Sequence, residues 1–291
     1  MIPIDYESIF RDRTIIITGV GRSGTTILGK LIGSMTPTVY LFEPAIMKYL
    51  LNEGNHDAFL GTLFEDYLLP IVQGRSLNYC ESDDSCIQHH WSDKQVNQSR
   101  KLRTRKEAVE WVNESGIKFV IKTNELSGDS DLKSVFPGHK LIHIIRNGND
   151  VIHSALAKGW YTDEYLKNAC IDRVERHELD PKFFVPWFLD ELTLYWPAYN
   201  QETRIAHVWR NLVEGQTDCM VLTYEHLIEE PEKTISWIPG YLDLVQTDLT
   251  EKHIASIRNQ GRKDYPSLLD RIQEPERSKY VATMERLGYK A

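Results

Sequence analysis

Gly19-Val20-Gly21-Arg22-Ser23-Gly24-Thr25-Thr26 places three glycines, three hydroxyls and a guanidinium within eight residues, directly after the apolar run Thr14-Ile-Ile-Ile-Thr18. Such a segment is suited to holding an anion. The glycines let the backbone curl around a phosphate that a Cβ would obstruct. A helix beginning at Thr25 turns its free N–H groups and the positive end of its dipole towards the same point. Ser23, Thr25 and Thr26 add hydroxyl donors, and Arg22 adds a permanent positive charge.

Gly19 and Gly24 have the spacing of the G-x-x-x-x-G-K-[ST] phosphate loop, but Thr25 stands where that loop has its lysine. No later apolar run ends in the aspartate that would hold Mg²⁺. The expected ligand is phosphorylated and arrives without magnesium. These two absences disfavour the alternative of a P-loop kinase acting on a small metabolite.

A second anion site is expected where the run Lys140-Leu-Ile-His-Ile-Ile145 ends in Arg146, followed by Asn147-Gly-Asn-Asp150-Val-Ile-His-Ser154. Asn149 or Asp150 is suited to cap the next helix, which puts Ser154 one turn inside it. Arg146 and Ser154 would then grip one phosphate. Two such sites at the carboxyl ends of parallel strands suit a ligand with two separated phosphates.

The elements that must position these residues are legible as strand-like runs at 13–19, 39–42, 118–122, 140–145 and 220–224. Helical patterns separate them at 25–35, 57–72, 106–114, 150–158 and, at greater length, from about 182 to 213. Nearly all-apolar strands alternating with helices predict an α/β fold with a central parallel sheet covered on both faces. A single domain over 1–291 is expected, with acceptor-side insertions at about 73–105 and 160–215. The tail from Ser256 to Pro266, with Arg258, Arg262 and Lys263, reads as a loop; a last helix over 275–287 ends before Gly288, a C′ glycine.

With 41% hydrophobic and 26% charged residues, the chain has the composition of a folded globular protein. A net charge of −8 argues against nucleic acid, anionic lipid or a highly sulfated glycan as partner. There is no long apolar stretch and no basic leader, so a cytoplasmic protein without a membrane partner is expected. Cys80, Cys86, Cys170 and Cys219 lack C-x-x-C spacing and read as reduced structural thiols. Monomer and homodimer both remain open.

The two anion segments resemble the sulfotransferases that use 3′-phosphoadenosine 5′-phosphosulfate as donor. Gly21-Arg22-Ser23-Gly24-Thr25-Thr26 is similar to that family's 5′-phosphosulfate loop, and Arg146 through Ser154 to its 3′-phosphate motif. Thr223-Tyr224-Glu225-His226-Leu227-Ile228-Glu229-Glu230-Pro231 is similar to the motif that places a tyrosine near the adenine, and Leu287-Gly288-Tyr289 is also family-like. The resemblance runs from Ile15 to Tyr289 with its motifs in order. It implies a P-loop-like sulfotransferase fold, no metal, and donor contacts from Gly21, Arg22, Ser23, Gly24, Thr25, Thr26, Arg146, Ser154 and Tyr224, with Arg262 and Lys263 from the tail. Arg22 occupies the position of a lysine in cytosolic members, replacing a point charge with a fork.

Sulfuryl transfer then requires alignment, charge stabilisation and a base for the acceptor hydroxyl. Phe119-Val-Ile-Lys122-Thr123-Asn124 resembles the lysine-threonine-histidine segment of cytosolic members, but Asn124 replaces the histidine and cannot take the proton. Glu43, in Phe42-Glu43-Pro44 at the end of the second strand, resembles the carbohydrate and tyrosylprotein branches and is the expected base. Arg22 and Lys122 are expected to stabilise the charge in transit. His56, His89, His90 and His153 stand in reserve, with His153 read as structural. A nucleotide-binding module without catalysis is the non-enzymatic alternative. The acceptor is expected to be a small-molecule hydroxyl, on a specialised metabolite or a sugar.

Overall fold

The structure, a computed structural model, describes residues 5–42, 56–73, 87–90, 104–123, 135–158, 219–258, 263–271, 274 and 276–290. Six strands form one sheet: β1 (Thr14–Thr18), β2 (Thr38–Phe42), β3 (Ile87–His90), β4 (Lys118–Lys122), β5 (Lys140–Ile145) and β6 (Cys219–Thr223). Their order is β3-β2-β4-β1-β5-β6. β2, β4, β1 and β5 run parallel, while β3 pairs antiparallel on the outer edge of β2. The apolar runs thus form the parallel strands that were expected of them.

Eleven α-helices are found among the described residues: α1 (Tyr6–Phe10), α2 (Thr25–Gly33), α3 (His56–Thr62), α4 (Leu69–Val72), α5 (Arg105–Ser115), α6 (Gly148–Leu156), α7 (Tyr224–Glu229), α8 (Pro231–Ile235), α9 (Ile238–Leu242), α10 (Asp248–Arg258) and α11 (Glu276–Arg286). A π-helical stretch, Leu63–Leu68, joins α3 to α4. The chain clusters into two compact units, the first drawn from 1–19, 24–144 and 209–262, the second from 20–23, 145–208 and 263–291.

In the first unit, alternate strand residues face opposite ways, so the two sheet faces bury different sets. Ile15, Ile17, Val120, Ile142 and Ile144 pack with Leu28, Leu31 and Ile32 of α2 and with Leu227, Ile235, Ile238 and Ile254 from α7 to α10. Each such buried aliphatic side chain contributes about 1.5–3 kcal/mol. Aromatic rings fill the other face: Phe10 lies 5.1 Å from Phe119 and 6.0 Å from Phe136, which meets Phe59 edge-on. α2 sits close to β2 because two of its residues lack a Cβ. One added at Gly33 would lie 2.6 Å from the Cβ of Tyr40, and one at Gly29 would meet the Tyr40 hydroxyl.

In the second unit, Val151, Ile152 and Ala155 of α6 share a core with Val20, Leu268, Tyr280 and Met284. α11 closes as the sequence implies. Gly288 takes φ 85°, its N–H donates to Glu285 O at 3.0 Å, and the N–H of Tyr289 donates to Met284 O at 2.9 Å.

Four expectations require correction. The stretch 73–105, expected as a loop or helical insertion, contains strand β3; its residues 74–86 and 91–103 lie outside the described residues. The cap of α6 is Asn147, whose side chain accepts from the N–H of Asn149, so the helix starts earlier and Ser154 lies about two turns inside it. Arg258 ends α10 and pairs with Glu232, outside any loop, because Ile254 and Ile257 bury one face of that helix. Tyr224 opens α7 and is not the last residue of the strand. The helix expected over 182–213 and the insertion at 160–215 lie outside the described residues.

Candidate active site

The turn after β1 holds its shape by backbone and side-chain bonds that converge on Arg22. The N–H of Ser23 donates to Val20 O at 3.0 Å, and Arg22 takes the left-handed conformation, φ 72°. A side chain with a Cβ pays about 1–2 kcal/mol for that conformation. The offset comes from Arg146, whose Nη1 donates to the Arg22 carbonyl at 3.0 Å. Arg22 in turn donates from Nε to the hydroxyl of Ser154 at 3.2 Å. Arg146 is 8% exposed, placed by the end of β5 and by the Asn147 cap that starts α6 beside it.

Three residues expected to bind the donor, Arg22, Arg146 and Ser154, therefore form one connected cluster in the second unit. Two guanidinium groups and a hydroxyl suit a dianionic phosphate, which accepts charge-assisted bonds from each. Ser23 is 1% exposed, and its hydroxyl has no hydrogen-bond partner among the described residues. A buried, unpartnered hydroxyl in an anion turn fits a phosphate oxygen.

The first unit carries the start of α2. Gly24 is its N-cap at φ 100°, with no side chain capping the helix, so the N–H groups at Thr25 and Thr26 face outwards from the first turn. Gly24 is required twice over: by its φ, and because an added Cβ would lie 2.5 Å from the Tyr224 ring. Tyr224 thus packs against the expected phosphosulfate loop. Its position follows from Thr223, whose side chain accepts from the N–H of His226 and caps α7.

Lys122 is 2% exposed at the end of β4, in register with Phe42 of β2, and its ammonium lies 4.6 Å from the Phe42 ring centre. The ring face favours that charge in a dry setting. Thr18 and His143 are register partners on β1 and β5, both buried, and neither side chain has a partner among the described residues. Burial pushes the His143 imidazole down to about 4.

Lys263 is exposed at the start of the tail segment. Glu43, Asn124 and Arg262 lie outside the described residues, and of His89 and His90 only the backbone strand is described. His153, read from the sequence as structural, contacts the tail: its ring stacks on Tyr265 at 4.7 Å and its Nε2 donates to Pro266 O at 2.9 Å. Asn149 also holds that segment, and was not singled out for this. The available signal was its spacing of four from His153, which puts both on one helix face. Among the described residues no group of three His, Cys, Asp or Glu side chains could hold a metal ion, and no helix is long and apolar enough to cross a membrane.

Comparison with known proteins gives a consistent result. A family profile described as the sulfotransferase family matches residues 14–248. No curated protein sequence matches the chain. Among solved structures, the sulfotransferase domain of the Synechococcus PCC 7002 olefin synthase is similar over 97% of this chain and 96% of its own, at 16% identity and a TM-score of 0.52. The sulfotransferase domain from the curacin biosynthetic pathway is similar over 96% and 99%, at 13% identity and a TM-score of 0.52. Sulfotransferase STF1 of Mycobacterium tuberculosis H37Rv is similar over 96% and 79%, at 15% identity and a TM-score of 0.50. At these identities the likeness is one of fold.

Proposed function

Since the chain belongs to the sulfotransferase family, we propose that it transfers a sulfuryl group from 3′-phosphoadenosine 5′-phosphosulfate to a hydroxyl of a small-molecule acceptor, a specialised metabolite or a sugar. The observation that carries this reading is the bonded cluster of Arg22, Arg146 and Ser154, which ties the turn after β1 to the end of β5 and to α6. It supports a donor with two phosphate groups over one with a single chain of phosphates.

When bound, the donor supplies an activated S–O bond with a good leaving group. The free N–H groups at Gly24, Thr25 and Thr26 would hold the 5′-phosphate, and Ser23 would add its unpartnered hydroxyl. Arg146 and Ser154 would hold the 3′-phosphate, with Arg262 and Lys263 from the tail. Tyr224 would lie near the adenine. Glu43 would remove the acceptor proton as the acceptor oxygen bonds to sulfur. The bond from sulfur to the bridging oxygen breaks in the same step, and that oxygen keeps the electron pair. Arg22 and Lys122 would stabilise the negative charge that gathers there. No step requires a metal ion from the protein. A cytoplasmic location is part of the same reading.

Two measurements test it. Calorimetry should give binding of 3′-phosphoadenosine 5′-phosphate in the absence of metal and much weaker binding of ATP with Mg²⁺; equal affinity would return the kinase alternative. Glu43→Gln should keep nucleotide affinity while sulfuryl transfer falls by about 10²–10⁴-fold. Near-normal turnover in that variant would remove Glu43 from the role of base.

A further inference from the structure

Residues 263–268 run without helix or strand along the amino-terminal half of α6, and two side chains of that helix hold them. Asn149 uses both ends of its amide. Its Nδ2 donates to Pro266 O at 3.2 Å, and its Oδ1 accepts from the N–H of Leu268 at 2.9 Å. His153, one turn further on, donates from Nε2 to the same Pro266 carbonyl at 2.9 Å. A carbonyl only accepts, so Nε2 carries the proton. The His153 ring also lies flat on Tyr265, with 10° between planes. Leu268 then enters the core formed by Val20, Val151, Ile152, Tyr280 and Met284.

The segment is therefore clamped at three positions, the Tyr265 ring, the Pro266 carbonyl and the Leu268 N–H. Its anchors alternate with the cluster that faces the donor: His153 is followed by Ser154, and Ser154 accepts from Arg22. Lys263 stands two residues before Tyr265, a span of at most about 7 Å of chain, within reach of a lysine side chain from the ring stacked on His153. Lys263 is the one cation of 263–268, next to the exposed Asp264, so what the clamp offers an anion site is the placing of Lys263.

We propose that Asn149 and His153 are positioning residues for recognition of the donor's 3′-phosphate, acting by fixing the segment that carries Lys263 beside Arg22, Arg146 and Ser154. The inference rests on the donor reading above. It requires that the clamp select for the 3′-phosphate in particular, and not merely hold the fold.

The test compares two nucleotides that differ by that group, 3′-phosphoadenosine 5′-phosphate and adenosine 5′-monophosphate, by calorimetry on the full chain. Asn149→Ala and His153→Ala should each weaken the bisphosphate by about tenfold, a 1.4 kcal/mol loss, and leave the monophosphate unchanged. Lys263→Ala, at an exposed position, should give a similar loss on its own and little further loss in the Asn149→Ala background. His153→Gln, which returns an N–H to the Pro266 carbonyl, should recover part of the selectivity. Equal losses for both nucleotides would mean a structural role and overturn the proposal, as would unchanged bisphosphate affinity in Lys263→Ala. Wild-type protein that binds both nucleotides equally would remove the donor reading itself. A wild-type preference kept in full by Asn149→Ala and His153→Ala would remove only this inference.

Discussion

The Nε–H of Arg22 donates to the hydroxyl of Ser154 at 3.2 Å, joining the turn after the first strand to a helix 132 residues further along the chain. The Arg22 carbonyl meanwhile accepts from Arg146. Side chain and backbone of one residue thus bind both halves of the second anion motif. An arriving phosphate finds these groups already gathered, which lowers the ordering cost of binding.

Removing members of this cluster should weaken nucleotide binding in a graded way. Arg146→Ala deletes a buried charge and frees the left-handed turn at Arg22, so affinity for 3′-phosphoadenosine 5′-phosphate should fall by about 2–3 kcal/mol. Ser154→Ala deletes one neutral partner and should lose about 1 kcal/mol. Calorimetry on the two variants checks the order; a larger effect from Ser154 would contradict it.

Gly24→Ala should damage both stability and binding. The left-handed φ costs about 1–2 kcal/mol for a residue with a Cβ, and the clash with Tyr224 adds overpacking of about 1–3 kcal/mol. Thermal denaturation should show a clear drop. Tyr224→Ala in the same chain should recover the steric part only, leaving the conformational part in place.

Tyr40→Phe should stabilise the protein by about 1 kcal/mol. The Tyr40 side chain is fully buried under α2, and its hydroxyl has no hydrogen-bond partner among the described residues. Burial alone raises its pKa. Replacing an unpartnered buried hydroxyl with hydrogen loses no bond and removes a polar atom from an apolar setting. A chemical denaturation midpoint below that of the wild type would show that the hydroxyl has a partner after all.

His143 predicts a pH dependence with a definite sign. Its imidazole is held neutral in the fold, at about 4, while in the unfolded chain it titrates near its usual 6.5. Between these values the unfolded state binds more protons, so stability falls as pH drops from about 6.5 towards 4 and levels off below. The contribution is of the order of 3 kcal/mol. His143→Leu should therefore show a shallower loss of melting temperature across that window. Parallel profiles for the two proteins would refute the assignment.

Much of this fold can be read from local chemistry, and the exceptions have identifiable causes. β1, β4 and β5 are covered on both faces, so burial forces their residues to be apolar, and their runs match the strands to within a residue. β3 is different: Ile87-Gln-His-His90 joins the sheet through backbone bonds to β2 alone, and its composition carries no period. At α6 three neighbouring residues, Asn147, Asn149 and Asp150, have side chains able to cap. Asn147 takes the cap through a bond two residues long, while the Asn149 side chain is turned to the tail, a contact that no local pattern records. The glycines and hydroxyls of the first turn announced an anion site, because anion binding demands those residue types locally. The bond from Arg22 to Ser154 joins positions whose separation carries no periodic signal.

The sharing of one core by Val20, Leu268, Tyr280 and Met284 has a consequence for how the protein is made. Synthesis proceeds from the amino terminus, and early segments fold as they emerge. The turn that would cradle the donor is made before most of the sheet, yet its apolar underside waits for residues made after β6. A nascent chain therefore carries the sheet well before it carries a finished nucleotide site, and a ribosome that stalls after β6 releases a product unable to complete it.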